Sequence, residues 1–159
     1  MIQRKQSIFL LLAALCMGLT FVMPLVEYTV KPDARHFMFR TDALYNELGV
    51  RVPDFDLTVP FNWLYAVIAA ALIGVIFLYT NRPRQMRIVR GVFMVILGGF
   101  VGQVFVHQSL ASYLGTSVSV SYSMLPGFFL PLAAVLFCWL AERGIRADEK
   151  LVKSMDRLR

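Results

Sequence analysis

Charge is the scarcest commodity in this chain. Only 16% of its 159 residues are Asp, Glu, Lys or Arg, and none interrupts the interior of the four long apolar stretches. Proton relays, ion pathways and voltage sensors need ionisable groups within such stretches, so their absence argues against a pump or proton-coupled transporter. At this length there is also no room for an inverted repeat of useful size. Cysteine is nearly missing: Cys16 and Cys138 both lie inside apolar runs, which leaves no disulfide framework. The two histidines, His36 and His107, have no metal-ligand spacing, and neither a metal nor a cofactor is expected. No nucleophile–base arrangement, glycine-rich phosphate loop or paired-carboxylate site can be assembled. Asp54 and Asp56 form only a loop pair, so an enzyme is not expected.

Apolar residues fill the space that charge leaves. They make up 58% of the chain, and the mean hydropathy is +0.63, both above the values of an ordinary soluble domain. The expectation is one all-α integral membrane domain over residues 1–159. Its four transmembrane helices fall at about 7–26, 60–80, 88–109 and 124–142, each near the ~20 residues needed to cross a bilayer. The first run follows a short basic start, as in a signal peptide. It is too long for a usual apolar core of such a peptide, and no small-residue cleavage site follows. Leu15 is too bulky for a lipoprotein box before Cys16. A retained helix is therefore expected.

The connectors carry the remaining signals. Residues 27–59 form the longest, an outer loop with a strand–turn–strand pattern over 28–41. After it, 42–48 reads as a short helix ended by Gly49. The second outer loop, 110–123, alternates polar and β-branched residues at 116–121, a strand signal that adds a strand to the proposed hairpin. Together they suggest a small extracytoplasmic β-containing cap. Residues 81–90 read as a tight connector with four arginines. Gly144 offers a bend between the last span and a cytoplasmic tail over 143–159.

Basic residues fix the orientation. Twelve of the sixteen fall in the N-terminal stretch, the 81–90 connector and the tail, which places both termini in the cytoplasm under the positive-inside rule. The net charge of +6 then needs no nucleic-acid partner. The expected location is a bacterial inner membrane, with multiple passes.

Three groups of residues stand out. Gln103, His107 and Gln108 are the polar exceptions near the outer end of the third apolar run; Gln103 and His107, four apart, share a helix face. They form either a small polar pocket or hydrogen bonds to a neighbouring element, the commoner use of such residues in bilayers. Small residues at Ala14/Gly18, Ala66/Ala70/Gly74 and Gly98/Gly102 provide faces for close packing inside the domain. Pro131 should kink the fourth helix. In the tail, Leu151, Val152, Met155 and Leu158 make an apolar stripe. Around it lie Arg143, Arg146, Asp148, Glu149, Lys150, Lys153, Asp156, Arg157 and Arg159, a pattern for an amphipathic helix that contacts anionic lipid or docks a cytosolic protein.

The opening MIQRKQS (1–7) with LLLAA (10–14), and the closing RGIRADEKLVKSMDRLR (143–159), resemble the small membrane family catalogued as domain of unknown function 4293. That resemblance implies an organism of the Bacteroidetes, four spans, an inner-membrane location and some importance for the tail, but no catalytic or binding residue. Two functions follow as expectations. The first is a non-catalytic accessory or assembly subunit that uses its tail or outer cap to engage an unidentified protein at the cytoplasmic face. The alternative is a small channel or carrier for a neutral or lipidic solute.

Overall fold

The computed structural model describes residues 5–31, 35–52, 60–78, 81–115 and 119–156. Eight elements follow in order: α1 (Lys5–Leu19), β1 (Val26–Val30), β2 (Arg35–Phe39), β3 (Leu44–Asn46), α2 (Phe61–Phe77), α3 (Arg82–Leu114), β4 (Val120–Met124) and α4 (Pro126–Asp156). The helices pack side by side, α1 against α2 and α4, and α3 against the same two. Their shared core includes Leu10, Met17, Tyr65, Leu72, Ile96, Cys138 and Ile145.

This overturns the all-α, four-span reading. Four helices are present among the described residues, but so is a four-stranded antiparallel sheet of order β3-β2-β1-β4. Among the described residues, two helices, α3 and α4, are long and apolar enough to cross a membrane. The reason is length. The apolar run at 7–26 does not stay helical: α1 ends at Leu19, the Thr20 hydroxyl donates to the Met17 carbonyl at 2.6 Å, and the chain enters β1 at Val26. At 1.5 Å per residue, the 15 residues of α1 and 17 of α2 reach only about 22 and 25 Å, short of the ~30 Å hydrocarbon core.

The sheet begins where β-branched and aromatic residues start to alternate. In β1, Val26, Tyr28 and Val30 are buried while Glu27 and Thr29 are half-buried, the period of two that a half-covered strand requires. The hairpin of β1 and β2 lies where it was expected, with Val30 opposite Arg35; the turn at 32–34 is outside the described residues. Residues 44–46, expected in a helix, form β3 instead. Gly49 at φ 70° turns the chain so that Asn46 N–H donates to Val50 O at 3.0 Å. A left-handed glycine serves a tight turn as well as a helix end, and that ambiguity explains the misreading. The strand expected at 116–121 is shifted. β4 runs from Val120 to Met124 on the other side of β1, and 116–118 are outside the described residues.

Two connectors also differ from expectation. The arginine-rich stretch is helical: α3 starts at Arg82 with a proline in its first turn, where the missing N–H costs nothing. The tail is not a separate amphipathic helix, because α4 continues through Pro131 and Gly144 to Asp156. Gly144 is a packing site instead: a Cβ there would stand 3.4 Å from Gln6 Cβ on α1. The small faces are used selectively. A Cβ on Gly99 would stand 3.2 Å from Leu64, and one on Gly102 would stand 3.7 Å from the Phe61 ring, but Gly18, Gly74 and Gly98 face open space.

The sheet is fixed to one end of the helices. Leu125 N–H donates to Leu25 O at 3.0 Å, and Gly127 lies so close to the Pro24 and Met23 carbonyls that a Cβ would overlap both. Leu25, Val26, Tyr28, Phe39 and Leu44 bury themselves against Leu110 of α3 and Phe128 of α4.

Candidate functional site

Polar side chains gather at both ends of the helices, and they do so differently. Beneath the sheet, the Tyr28 hydroxyl hydrogen-bonds to His107 Nδ1 at 2.7 Å. The His107 ring packs edge-on against Tyr122 at 4.8 Å and Phe128 at 6.0 Å between centroids. One turn down α3, Gln103 accepts a bond from the Tyr65 hydroxyl at 2.7 Å and donates to the Phe128 carbonyl at 3.3 Å. These bonds join α3 to β1, α2 and α4. Burial pushes the Tyr28 hydroxyl well above the usual phenol range, so it stays protonated.

Of the three residues proposed for a polar pocket, Gln103 and His107 are buried on one face, each with a different partner, and Gln108 is exposed on another. The structure thus brings two of the three together. His36, isolated in sequence, has company in space. Its Nδ1 lies 3.1 Å from Glu27 Oε1, and its backbone N–H donates to Glu47 Oε1 at 2.6 Å. Among the described residues, no cluster of three His, Cys, Asp or Glu is placed to hold a metal.

At the opposite end, Glu142 is the organising group. Its Oε1 accepts from Arg90 Nε of α3 at 2.7 Å and from Arg146 Nη2 one turn along α4 at 2.5 Å. The carboxylate is 11% exposed, while the two guanidinium side chains are about half exposed, at 51% and 55%. Beside it, the Arg143 guanidinium lies over the Trp139 ring, 5.7 Å from the centroid. Trp139, Glu142, Arg143 and Arg146 line a cavity of about 310 Å³.

The remaining tail candidates are spread out. Asp148 and Glu149 are half-buried and Lys150 is exposed. Lys153 and Asp156 belong to α4, but their side chains, like all of Arg157 and Arg159 and the apolar stripe at 151, 152, 155 and 158, lie outside the described residues. Arg90, Glu142 and Trp139 were not among the candidates. A signal for them existed: Glu142 stands four residues before Arg146, the spacing of a helical ion pair.

Among the described residues at this end, two glutamines keep buried amide atoms without a partner. Both amide atoms of Gln6 are buried without a partner, as is Gln85 Oε1, while Gln85 Nε2 donates to Val75 O at 3.1 Å.

The chain is therefore a helical protein with a sheet at one end and an arginine–glutamate cluster at the other, and two of its helices meet the length and apolarity of a membrane span. The sequence profile of domain of unknown function DUF4293 matches residues 2–158, and the chain belongs to that family. No curated protein matches the sequence.

Proposed function

We propose that the protein is a multi-pass inner-membrane protein. In this reading α3 and α4 cross the bilayer, the shorter α1 and α2 run between the same two ends packed against them, the sheet lies outside, and both termini are cytoplasmic. It acts as a non-catalytic accessory or assembly subunit that engages a protein partner through its cytoplasmic end. One observation carries the location: large apolar side chains on α3 and α4 face outward. Met94, Val95, Val101, Phe105, Phe129, Leu132 and Leu136 are all exposed, and only 22% of the apolar window of α3 is buried within the protein. A core helix of a soluble domain buries such residues, and an exposed belt of this extent calls for lipid or protein.

Orientation follows from charge. Arg84, Arg87, Arg90, Arg143, Arg146 and Lys150 share one end of the helices, opposite the sheet, which favours that end for the cytoplasm. The accessory role is supported by what the buried polar groups do. Gln103, His107, Tyr28 and Tyr65 bond one another or the backbone, so they serve packing and leave little polar lining for a solute path.

The partner is tested by purification in mild detergent. Full-length chain should retain a stoichiometric protein that a chain ending at Lys150 loses. The cut must spare Ile145, which is completely buried. A full-length chain that runs alone in every mild detergent contradicts the accessory role.

A further inference from the structure

We infer that the face of α4 bearing Trp139, Glu142, Arg143 and Arg146 is a binding site for a phosphate group, carried on a lipid headgroup or on a soluble anion. The four residues fall at i, i+3, i+4 and i+7, one face of a helix, and they line a cavity of about 310 Å³. That volume lies in the range of about 300–1,000 Å³ usual for small-ligand clefts. The site straddles the start of the tail and needs none of its residues beyond Arg146, so it goes beyond the partner reading and does not depend on it.

The electrostatics favour an anion. Glu142 holds Arg90 and Arg146 through one oxygen, and this trio keeps an excess positive charge, to which Arg143 adds a second. Each guanidinium presents about five N–H donors in a rigid fork, and Glu142 engages only one nitrogen of each of its partners. Donors therefore remain on Arg146 and Arg143 to meet phosphate oxygens, the geometry that arginine serves best. The Glu142 carboxylate also lines the cavity and repels an anion, but its Oε1 is already covered by two cations. Its effect is positional: it fixes Arg146 at the rim, while the Trp139 ring lies under Arg143. A half-exposed Trp beside arginines is also the arrangement found where apolar helix meets headgroup.

The test uses full-length protein in an uncharged detergent, with short-chain phosphatidylglycerol, short-chain phosphatidylcholine and inorganic phosphate as probes, read by native mass spectrometry and by competition. Phosphatidylglycerol should bind about tenfold more tightly than phosphatidylcholine, whose phosphate is accompanied by a choline cation that the arginines repel. Arg143→Gln with Arg146→Gln should lower that affinity about tenfold. Arg143→Gln alone, which leaves the Glu142 ion pairs intact, should lower it severalfold and keep the unfolding temperature. Arg84→Gln with Arg87→Gln removes the same charge from exposed positions at the same end and should change affinity less than about twofold. If millimolar inorganic phosphate displaces the lipid, the site reads the phosphate itself; if it does not, the site reads a lipid headgroup, and either result supports the assignment. Equal weakening by the two double variants, or no preference for the anionic probe, overturns it. Carbonate extraction of membranes reports the membrane location separately.

Discussion

The two ends of the helices are held together by different chemistry. At the sheet end the links are neutral: a buried tyrosine–histidine bond of 2.7 Å, a buried tyrosine–glutamine bond of 2.7 Å, and the edge-on packing of His107 against Tyr122. At the other end the link is ionic and half-exposed, a single carboxylate between two arginines, with the buried amide of Gln6 unpartnered nearby. Neutral buried bonds fix geometry and are costly to break. Half-exposed ion pairs add little stability, but they leave donors and charge available. The sheet end is thus built to hold shape, and the arginine end keeps charge at the surface.

Four changes test that contrast by thermal or denaturant unfolding in detergent. Gly127→Ala should have the largest effect, about 3 kcal/mol of destabilisation, the upper range of overpacking costs. The added methyl meets backbone carbonyls of Pro24 and Met23, which cannot rotate away. Tyr28→Phe should cost about 1–2 kcal/mol by leaving His107 Nδ1 unpaired. Glu142→Gln should cost only about 1 kcal/mol, because both arginines are half solvated, and added salt should reduce the difference from the parent protein. Gln6→Leu should have the opposite sign and stabilise by about 1 kcal/mol, since the amide it removes has no bond to lose. A Glu142→Gln cost exceeding that of Tyr28→Phe would erase the contrast.

Legibility in the sequence followed the same division. The β1–β2 hairpin could be read because β-branched and aromatic residues flank a proline turn. The start of α4 was marked by Pro126. The helix lengths could not be read, since hydropathy counts Phe21, Val22, Leu25 and Val26 as continuous with α1, although the chain turns there and Val26 pairs with Phe39 and Met124. The start of α3 was hidden for the opposite reason. Four arginines look like a connector, yet long side chains extend to solvent from a helix with little strain. At the candidate sites, the shared face of Gln103 and His107 followed from spacing alone. Their partners Tyr65 and Tyr28 lie 38 and 79 residues away, a distance that no local pattern bridges. Glu142 is hidden in the sequence because a carboxylate at the end of an apolar run reads as an interface residue, whereas its second arginine, Arg90, comes from another helix.

Opposite placement of the two ends across a bilayer is the central claim, and single-cysteine labelling tests it most directly. In a background with Cys16→Ala and Cys138→Ala, Leu48→Cys in the turn after β3 and Ser154→Cys on α4 change exposed positions. A membrane-impermeant maleimide should label the position-48 variant in intact spheroplasts and the position-154 variant only in inverted vesicles. Labelling of both positions from the same side would contradict the account.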